Sequence, residues 1–215
     1  MAQKKVNAVI HSQEKLAEGI YSMWLDAPEM AKAAVPGQFI AVYTNDQSKL
    51  LPRPISICEA DKENGRLRIV YRIAGAGTKE FSAYKEGDTL DIMGPLGNGF
   101  PLKKKKAFLI GGGIGIPPML ELAKNLDCEK TAVIGYRDKE TFLADELRKY
   151  ADVVIATEDG SVGTKGNVID AIRAEKLTAD IIYACGPTPM LKALKTYAME
   201  NGIECYISLE EKMAC

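Results

Sequence analysis

Two short segments rich in glycine and proline follow apolar runs in the second half of the chain. They read GGGIGIPP at residues 111–118 and CGPTPM at residues 185–190. Glycines let a backbone approach a pyrophosphate closely, and the N-terminus of a following helix favours its negative charge. Ile116 stands where the dinucleotide-binding pattern G-x-G-x-x-G requires its last glycine, so the first segment alone is a weak signal. The alternative is a turn that only allows a helix to pack closely on a strand.

The two segments support each other if they lie at the same edge of a sheet. Ligands of open α/β sheets bind at the carboxyl ends of the strands, so we expect both turns to line one crevice. Cys185 alone could equally be a small core residue. The residues predicted to border a bound nucleotide are Gly111, Gly112, Gly113, Gly115, Cys185 and Gly186.

Two further segments in the first half of the chain have residues suited to a flavin. LPRPISI, at residues 51–57, places Arg53 between two prolines, where it can pair bidentately with a phosphate. Pro54 fixes the backbone so that Ser56 points where a planar ring could stack. VYRIAGAGT, at residues 70–78, offers an aromatic ring, a cation and a glycine turn with a hydroxyl. These groups belong to Tyr71, Arg72, Gly77 and Thr78.

The overall charge and the absence of long apolar runs narrow the function classes. Lysine and arginine (28) nearly balance aspartate and glutamate (29), which removes the global electrostatic reason to expect nucleic acid or an anionic membrane as a partner. The N-terminus lacks the apolar stretch and cleavage site of a secretory signal. The most apolar run, residues 107–122, is broken by glycines and prolines and is too short to span a bilayer. We therefore expect a cytoplasmic protein.

The histidine and cysteine content excludes several chemistries. The chain has one histidine, His11, in a polar stretch near the N-terminus. Catalytic triads, Cys-His pairs and histidine metal sites need an imidazole in a pocket, so we predict chemistry without histidine and a surface position for His11. The odd number and loose spacing of the cysteines indicate reduced thiols rather than disulfides or a zinc site. They are Cys58, Cys128, Cys185, Cys205 and Cys215.

The apolar pattern changes near residue 100 and predicts two domains. Residues 6–100 show short alternating runs punctuated by turn residues, typical of a six-stranded antiparallel β-barrel, with one short helix at residues 79–84. From Lys106 onward, five apolar strands alternate with helix-period segments, which predicts an α/β doubly wound parallel sheet. Thr188 is the expected N-cap of its last helix.

The boundary between the predicted domains falls in PLKKKK, residues 101–106. We interpret its lysines as a solvated interdomain turn, with a docking patch for an acidic partner as the alternative. The predicted division is residues 1–100, 101–208 and a short C-terminal segment, 209–215.

The motifs RPIS, GAGT, GPLGNGF, GGGIG and CGPTPM occur in this order across the whole chain, which resembles the ferredoxin reductase superfamily. The ending SLEEKMAC, residues 208–215, is more specific and is similar to the electron-transfer subunits of NAD-dependent dihydroorotate dehydrogenases. The resemblance implies an FAD-binding barrel followed by a pyridine-nucleotide domain. It assigns FAD contacts to Arg53, Pro54, Ile55 and Ser56, to Val70, Tyr71 and Arg72, and to Gly77 and Thr78.

The same resemblance gives a role to the final cysteine. In the family, a cysteine at this place opens a four-cysteine motif that holds a [2Fe–2S] cluster, and Cys215 matches the first ligand. The other three are absent from this sequence, so the chain is expected to stop at the start of its cluster-binding segment and to assemble no cluster. A natural end with an unremarkable cysteine is the alternative.

The resemblance implies an oxidoreductase subunit of pyrimidine biosynthesis. Hydride would pass between NAD and FAD, and single electrons would pass through the cluster to an FMN-containing catalytic subunit that oxidises dihydroorotate. Another ferredoxin–NAD(P) reductase or sulfide dehydrogenase subunit, and a nucleotide-binding regulatory module without electron transfer, are the alternatives. NAD and NADP stay open, because Asp138 could accept from a ribose 2′-OH while Arg137 could pair with a 2′-phosphate.

Overall fold

The computed structural model describes residues 5–46 and 51–208. The chain divides into two compact units between Phe100 and Pro101. We call them the barrel unit and the sheet unit. The helices in the described ranges are all too short or too polar to cross a bilayer.

The barrel unit is a closed antiparallel barrel of six strands in the order β1-β2-β5-β4-β3-β6, which confirms the prediction. Its side chains alternate, and the inward set from all six strands forms one core that includes Ile57, Leu67 and Ile92. The strands are β1 (Lys5–Ala17), β2 (Ile20–Asp26), β3 (Phe39–Val42), β4 (Arg53–Asp61), β5 (Arg66–Arg72) and β6 (Thr89–Leu96), and the helices are α1 (Pro28–Ala33) and α2 (Ala76–Phe81).

Helix α2 begins earlier than the sequence pattern indicated. The expected helix at residues 79–84 starts at Ala76, inside the GAGT turn, and ends at Phe81. The shift has a local cause, because the Thr78 hydroxyl accepts hydrogen bonds from the backbone N–H groups of Ala74 and Gly75 at 2.8 and 3.2 Å. This side chain therefore closes the turn and starts the helix.

The sheet unit is a parallel sheet in the order β10-β9-β8-β7-β11-β12, with helices in the connections. The predicted doubly wound parallel sheet is confirmed. Its strands are β7 (Ala107–Gly112), β8 (Lys130–Tyr136), β9 (Asp152–Thr157), β10 (Thr164–Lys165), β11 (Ile181–Cys185) and β12 (Glu204–Ser208), and its helices are α3 (Pro117–Asn125), α4 (Ala144–Leu147), α5 (Val168–Ala174) and α6 (Thr188–Asn201).

Two details of the sheet unit differ from the sequence prediction. The two-residue strand β10 was not expected, because its residues lie in a polar, glycine-rich stretch without an apolar run. Helix α6 begins at Thr188 rather than after it, and Pro187 occupies the N-cap position with an extended backbone. Since Thr188 already has helical geometry, its predicted capping role is wrong.

The lysine run before β7 is bound to carboxylates of the same unit. Lys103 and Lys105 both pair with Glu204 on the edge strand β12. Two further pairs join Lys104 to Asp127 at 2.7 Å and Lys106 to Glu129 at 2.6 Å. The hydroxyl of Tyr183 also donates to the Pro101 carbonyl at 2.6 Å. The run therefore attaches the start of the unit to its sheet, which favours the turn over the docking patch.

We predict that the Glu204 carboxylate makes the sheet unit sensitive to acid. Hydrogen bonds from Lys103, Lys105 and Tyr206 lower the pKa of Glu204 from 4.5 to about 2. A lowered pKa in the folded state contributes stability above the unfolded pKa, and that stability is lost as the pH falls from about 4.5 towards 2. Glu204→Gln should therefore unfold at a lower temperature at neutral pH and lose less stability across that acid range.

Thermal unfolding of the full chain as a function of pH measures this effect. Glu200→Gln, at an exposed position of α6, is the matched control and should keep the acid dependence of the parent protein. Identical acid profiles for Glu204→Gln and the parent would show that the lysine pairs contribute nothing.

Candidate functional site

Arg53 and Gly77 lie in direct contact in the barrel unit. The guanidinium of Arg53, the first residue of β4, crosses the backbone of Gly77 in α2 so closely that a Cβ atom there would collide with it. The same guanidinium donates to the Leu51 carbonyl. A guanidinium beside the first turn of a helix, where backbone N–H groups have no intrahelical acceptor, is a donor set suited to a pyrophosphate. The residues present therefore fit the phosphate end of FAD.

Thr78 contributes to this arrangement by shaping the turn. Besides accepting from Ala74 and Gly75, its hydroxyl donates to the Gly75 carbonyl at 3.2 Å. The hydroxyl is thus engaged within the GAGT turn. The expected contact between Thr78 and a ligand would use the backbone N–H of Thr78, or the hydroxyl would first have to exchange these hydrogen bonds for one to the ligand.

Ile55 and Tyr71, two of the residues predicted to contact a flavin, point into the barrel. Tyr71 is 2% exposed, stacks on Tyr21 with ring centroids 5.9 Å apart, and belongs to the barrel core together with Ile55. Burial raises the pKa of the Tyr71 hydroxyl, which donates to the side chain of Gln13. The structure thus places the Tyr71 ring and the Ile55 side chain in the barrel core, and the contact of these residues with a flavin stays a prediction.

The outer face of β4 and β5 carries the residues that alternate with Ile55 and Tyr71. The register pairs Ile57 with Ile69, and beyond that pair Pro54, Ser56, Val70 and Arg72 alternate along their strands with the inward-pointing residues of the barrel core. Ser56 is half-buried, Pro54 and Arg72 are exposed, and Val70 is buried outside the barrel core. Pro54, Ser56 and Arg72 are therefore the accessible members of this face.

In the sheet unit, the two glycine-rich turns pack against each other. The ladder sets Gly111 of β7 opposite Cys185 of β11. A Cβ atom on Gly115 would collide with the Cys185 carbonyl, and one on Gly112 would lie 2.6 Å from the sulfur of Met190. The predicted adjacency of GGGIG and CGPTPM is therefore present, and much of it is close packing.

Gly113 differs from the other glycines of its turn. Its φ of +52° lies in the left-handed region, and a Cβ atom built on it would meet nothing within 4 Å. By contrast, a Cβ atom on Gly111 would lie 2.8 Å from Ile116, and one on Gly186 would lie 2.6 Å from Met190. Cys185 is 5% exposed. Among these predicted residues, Gly113 is the one with open space for a ligand beside its backbone.

A loop that the sequence prediction overlooked lies at the same edge of the sheet. TEDGSVG, residues 157–163, starts at the last residue of β9, and its Asp159 N–H donates to the Arg137 carbonyl after β8 at 3.2 Å. The side-chain and backbone donors of Ser161 lower the pKa of the Asp159 carboxyl. Asp138 accepts from the Glu140 N–H at 2.9 Å. An acidic residue with two glycines directly after a strand was the available signal for this loop.

The described cysteines do not form a cluster site. Cys58 lies on β4, Cys128 before β8, Cys185 at the end of β11 and Cys205 on β12. No group of three or more histidine, cysteine, aspartate or glutamate side chains within residues 5–46 and 51–208 could hold a metal ion. These residues therefore do not fit a [2Fe–2S] cluster. Cys215, the predicted first ligand, lies outside the described residues.

Comparisons with known proteins agree with this architecture. Residues 7–100 match the family model of the oxidoreductase FAD-binding domain. Over its full length the chain is 42% identical to the electron transfer subunit of dihydroorotate dehydrogenase B (NAD(+)) from Geobacillus sp. (strain WCH70), of which it covers 86%. It is 44% identical to the subunit of the same name from Streptococcus mutans, with 98% of this chain and 84% of that protein covered.

Solved structures give a similar result. An NADH-dependent reduced ferredoxin–NADP oxidoreductase superposes with a TM-score of 0.88 and 32% identity, covering all of this chain and 79% of that one. A ferredoxin reductase of carbazole 1,9a-dioxygenase has a TM-score of 0.81 at 21% identity, covering 97% of this chain and 70% of that one, and it supports the fold alone.

We predict that Gly113 and Gly115 respond differently to a methyl group. Gly115→Ala forces a Cβ atom into the Cys185 backbone and should lower the free energy of unfolding by about 3 kcal/mol. Gly113→Ala places its methyl group in open space and should lose only about 1 kcal/mol from left-handed backbone strain. Chemical denaturation of both variants measures the difference. Equal losses would contradict the packing role of Gly115.

Proposed function

Since the chain belongs to the family of the dihydroorotate dehydrogenase B (NAD(+)) electron transfer subunits, we propose that it is such a subunit, acting in the cytoplasm. In this role it moves electrons between NAD and an FMN-containing catalytic subunit that oxidises dihydroorotate in pyrimidine biosynthesis. The contact between Arg53 and Gly77 supports the proposal, because it sets a guanidinium beside the first turn of α2 in a barrel that matches the FAD-binding domain.

The barrel unit would hold FAD through few side chains. FAD accepts two electrons as a hydride and releases them singly, which is the chemistry an electron-transfer subunit needs. The Arg53 guanidinium and the first turn of α2 would bind the pyrophosphate, with Gly77 letting the two approach. Pro54, Ser56 and Arg72, the accessible residues of the outer face, would lie beside the ring.

The sheet unit would hold the nicotinamide nucleotide at the carboxyl ends of its strands. Gly113 gives the dinucleotide backbone room, while Cys185 and Gly186 form the opposing turn. Asp138 and Asp159 follow neighbouring strands and supply carboxylates that accept from a ribose 2′-OH and repel a 2′-phosphate. This pair supports NAD over NADP.

The proposed reaction requires no acid–base side chain from this chain. Hydride transfer moves no proton through the protein, and the base that takes a proton from dihydroorotate would belong to the catalytic subunit. His11, the one histidine, lines a surface pocket with Ser12, Trp24, Asp61 and Arg66 on the barrel. The [2Fe–2S] cluster and the ligand role of Cys215 remain predictions from the family.

A second candidate is a subunit of an NADH-dependent ferredoxin–NADP oxidoreductase. The superposition with that enzyme at 32% identity favours it. The higher identity of 42% to the dihydroorotate dehydrogenase subunits favours the first candidate. The two share FAD and nicotinamide chemistry and differ in the partner.

We predict that the purified chain, loaded with FAD, is reduced by NADH. Anaerobic titration should bleach the flavin absorbance with about one equivalent of NADH per FAD, because hydride carries both electrons. NADPH should act far more weakly, since the two carboxylates repel its 2′-phosphate. Bound FAD that stays oxidised in excess NADH would point to a regulatory nucleotide-binding module and overturn the proposal.

The FAD site itself is tested by Arg53→Ala. Loss of a charge-assisted contact to the pyrophosphate should weaken FAD binding by roughly ten- to a hundredfold. Fluorescence titration of the apoprotein with FAD measures the affinity, and Arg66→Ala, at the opposite end of the paired strands, is the control. Unchanged affinity in Arg53→Ala would remove Arg53 from the site.

A further inference from the structure

Gln13, on strand β1, makes three hydrogen bonds inside the barrel unit. Its amide nitrogen donates to the carbonyls of Phe81 and Tyr84 at 3.1 and 2.7 Å. Its amide oxygen accepts from the Tyr71 hydroxyl at 2.7 Å. Carbonyls can only accept, so the chemistry of the partners fixes which end of the amide points to the helix.

These bonds join the two segments to which the proposed function assigns FAD contacts, β5 and α2. Phe81 is the last residue of α2, whose first turn contains Gly77, and Tyr71 lies between Val70 and Arg72. The rings of Tyr71 and Phe81 also meet edge to face, with centroids 6.0 Å apart. Gln13 thus ties the end of α2 to the end of β5.

A carboxylate on α2 makes a second connection. Glu80 accepts from the Asn45 N–H at 2.7 Å and from the Tyr84 hydroxyl at 2.6 Å. Burial, together with the bond to Glu80, raises the pKa of Tyr84 to about 12, so this hydroxyl remains a donor at neutral pH. The segment after β3 is therefore fixed to α2 as well.

Helix α2 depends on these connections because it is short. Six residues form too few intrahelical bonds to be stable alone in water. Its position under the Arg53 guanidinium must come from tertiary contacts. Gln13 bonds to Phe81 at the end of α2 and to Tyr84 just after it, and its third bond joins them to Tyr71 on β5. A small shift of α2 would move Gly77 relative to Arg53.

We propose that Gln13 is a positioning residue for FAD: without touching the cofactor, it holds α2 against β5 and so sets the affinity of the site. This inference rests on the proposed function, since it assumes that Arg53 and the first turn of α2 bind FAD. The proposed role of Gln13 in FAD affinity is distinct from a contribution to the free energy of unfolding. FAD affinity should respond to its loss at temperatures where the protein stays folded.

The test compares four variants of the full chain: three single substitutions and the double variant Gln13→Met/Tyr71→Phe. Gln13→Met keeps the length of the side chain and removes all three bonds, and Tyr71→Phe removes only the one from the hydroxyl. Gln38→Met is the matched control, because Gln38 also bridges two backbone groups, the Val35 N–H and the Gly97 carbonyl, each at 3.0 Å. Melting temperature, FAD dissociation constant and NADH-dependent flavin reduction are measured for each.

We expect Gln13→Met to weaken FAD binding roughly tenfold and Tyr71→Phe roughly threefold, with smaller than additive effects in the double variant. Saturating FAD should restore NADH reduction in both. Gln38→Met should lower the melting temperature while its FAD affinity stays within about twofold of the parent.

Two results would contradict the positioning role of Gln13 and leave the proposed function intact. One is an unchanged FAD dissociation constant in Gln13→Met despite a lower melting temperature, and the other is an equal loss of affinity in Gln38→Met. If Gln13→Met does not fold, Tyr71→Phe decides, and unchanged affinity there refutes the role. A parent protein that binds no FAD refutes the proposed function itself, and the inference with it.

Discussion

Close approach of backbone at two glycines is the constraint on which both candidate sites depend. Gly77 allows the Arg53 guanidinium to cross the first turn of α2, and Gly115 allows the first turn of the sheet unit to pack on the Cys185 carbonyl. Neither glycine has a positive φ, so the requirement is space rather than backbone conformation. A side chain at Gly115 would collide with the backbone of the neighbouring turn, whereas one at Gly77 would displace the movable end of the Arg53 side chain.

The period of the apolar residues was sufficient to predict both folds, because each strand or helix buries one face and the pattern of that face is local. The same period did not reveal which residues of a contiguous motif face the ligand. Because side chains point alternately to the two faces of a strand, the RPIS and VYR segments can each direct only every second side chain to the ligand. The pairing register of the strands decides which side chains these are. The sequence motif did not indicate that the Tyr71 ring lies in the barrel core, while Arg72 beside it is exposed.

Hydrogen bonds and ion pairs between residues that are far apart in the sequence could not be predicted from the sequence either. Gln13 lies 58 residues from Tyr71 and 71 from Tyr84, and nothing in its polar surroundings distinguishes it from a surface glutamine. The lysine run was recognised as a turn, but its pairing with Glu204, about a hundred residues away, depends on β12 returning beside β11. Local patterns predict elements, whereas the connections that position them arise only when the sheet and barrel close.

The polar side chains near both candidate sites are largely held by hydrogen bonds within the protein. The Thr78 hydroxyl closes its turn, Glu80 holds the segment after β3, and Asp159 is bonded to Ser161. Acid–base catalysis needs a group that can exchange protons with a substrate, and groups held in this way are poorly suited to it. Hydride and electron transfer instead require cofactors held at fixed positions, which is what rigid turns and paired side chains provide. The use of polar residues for positioning therefore agrees with an electron-transfer function and explains why a chain with one histidine suffices.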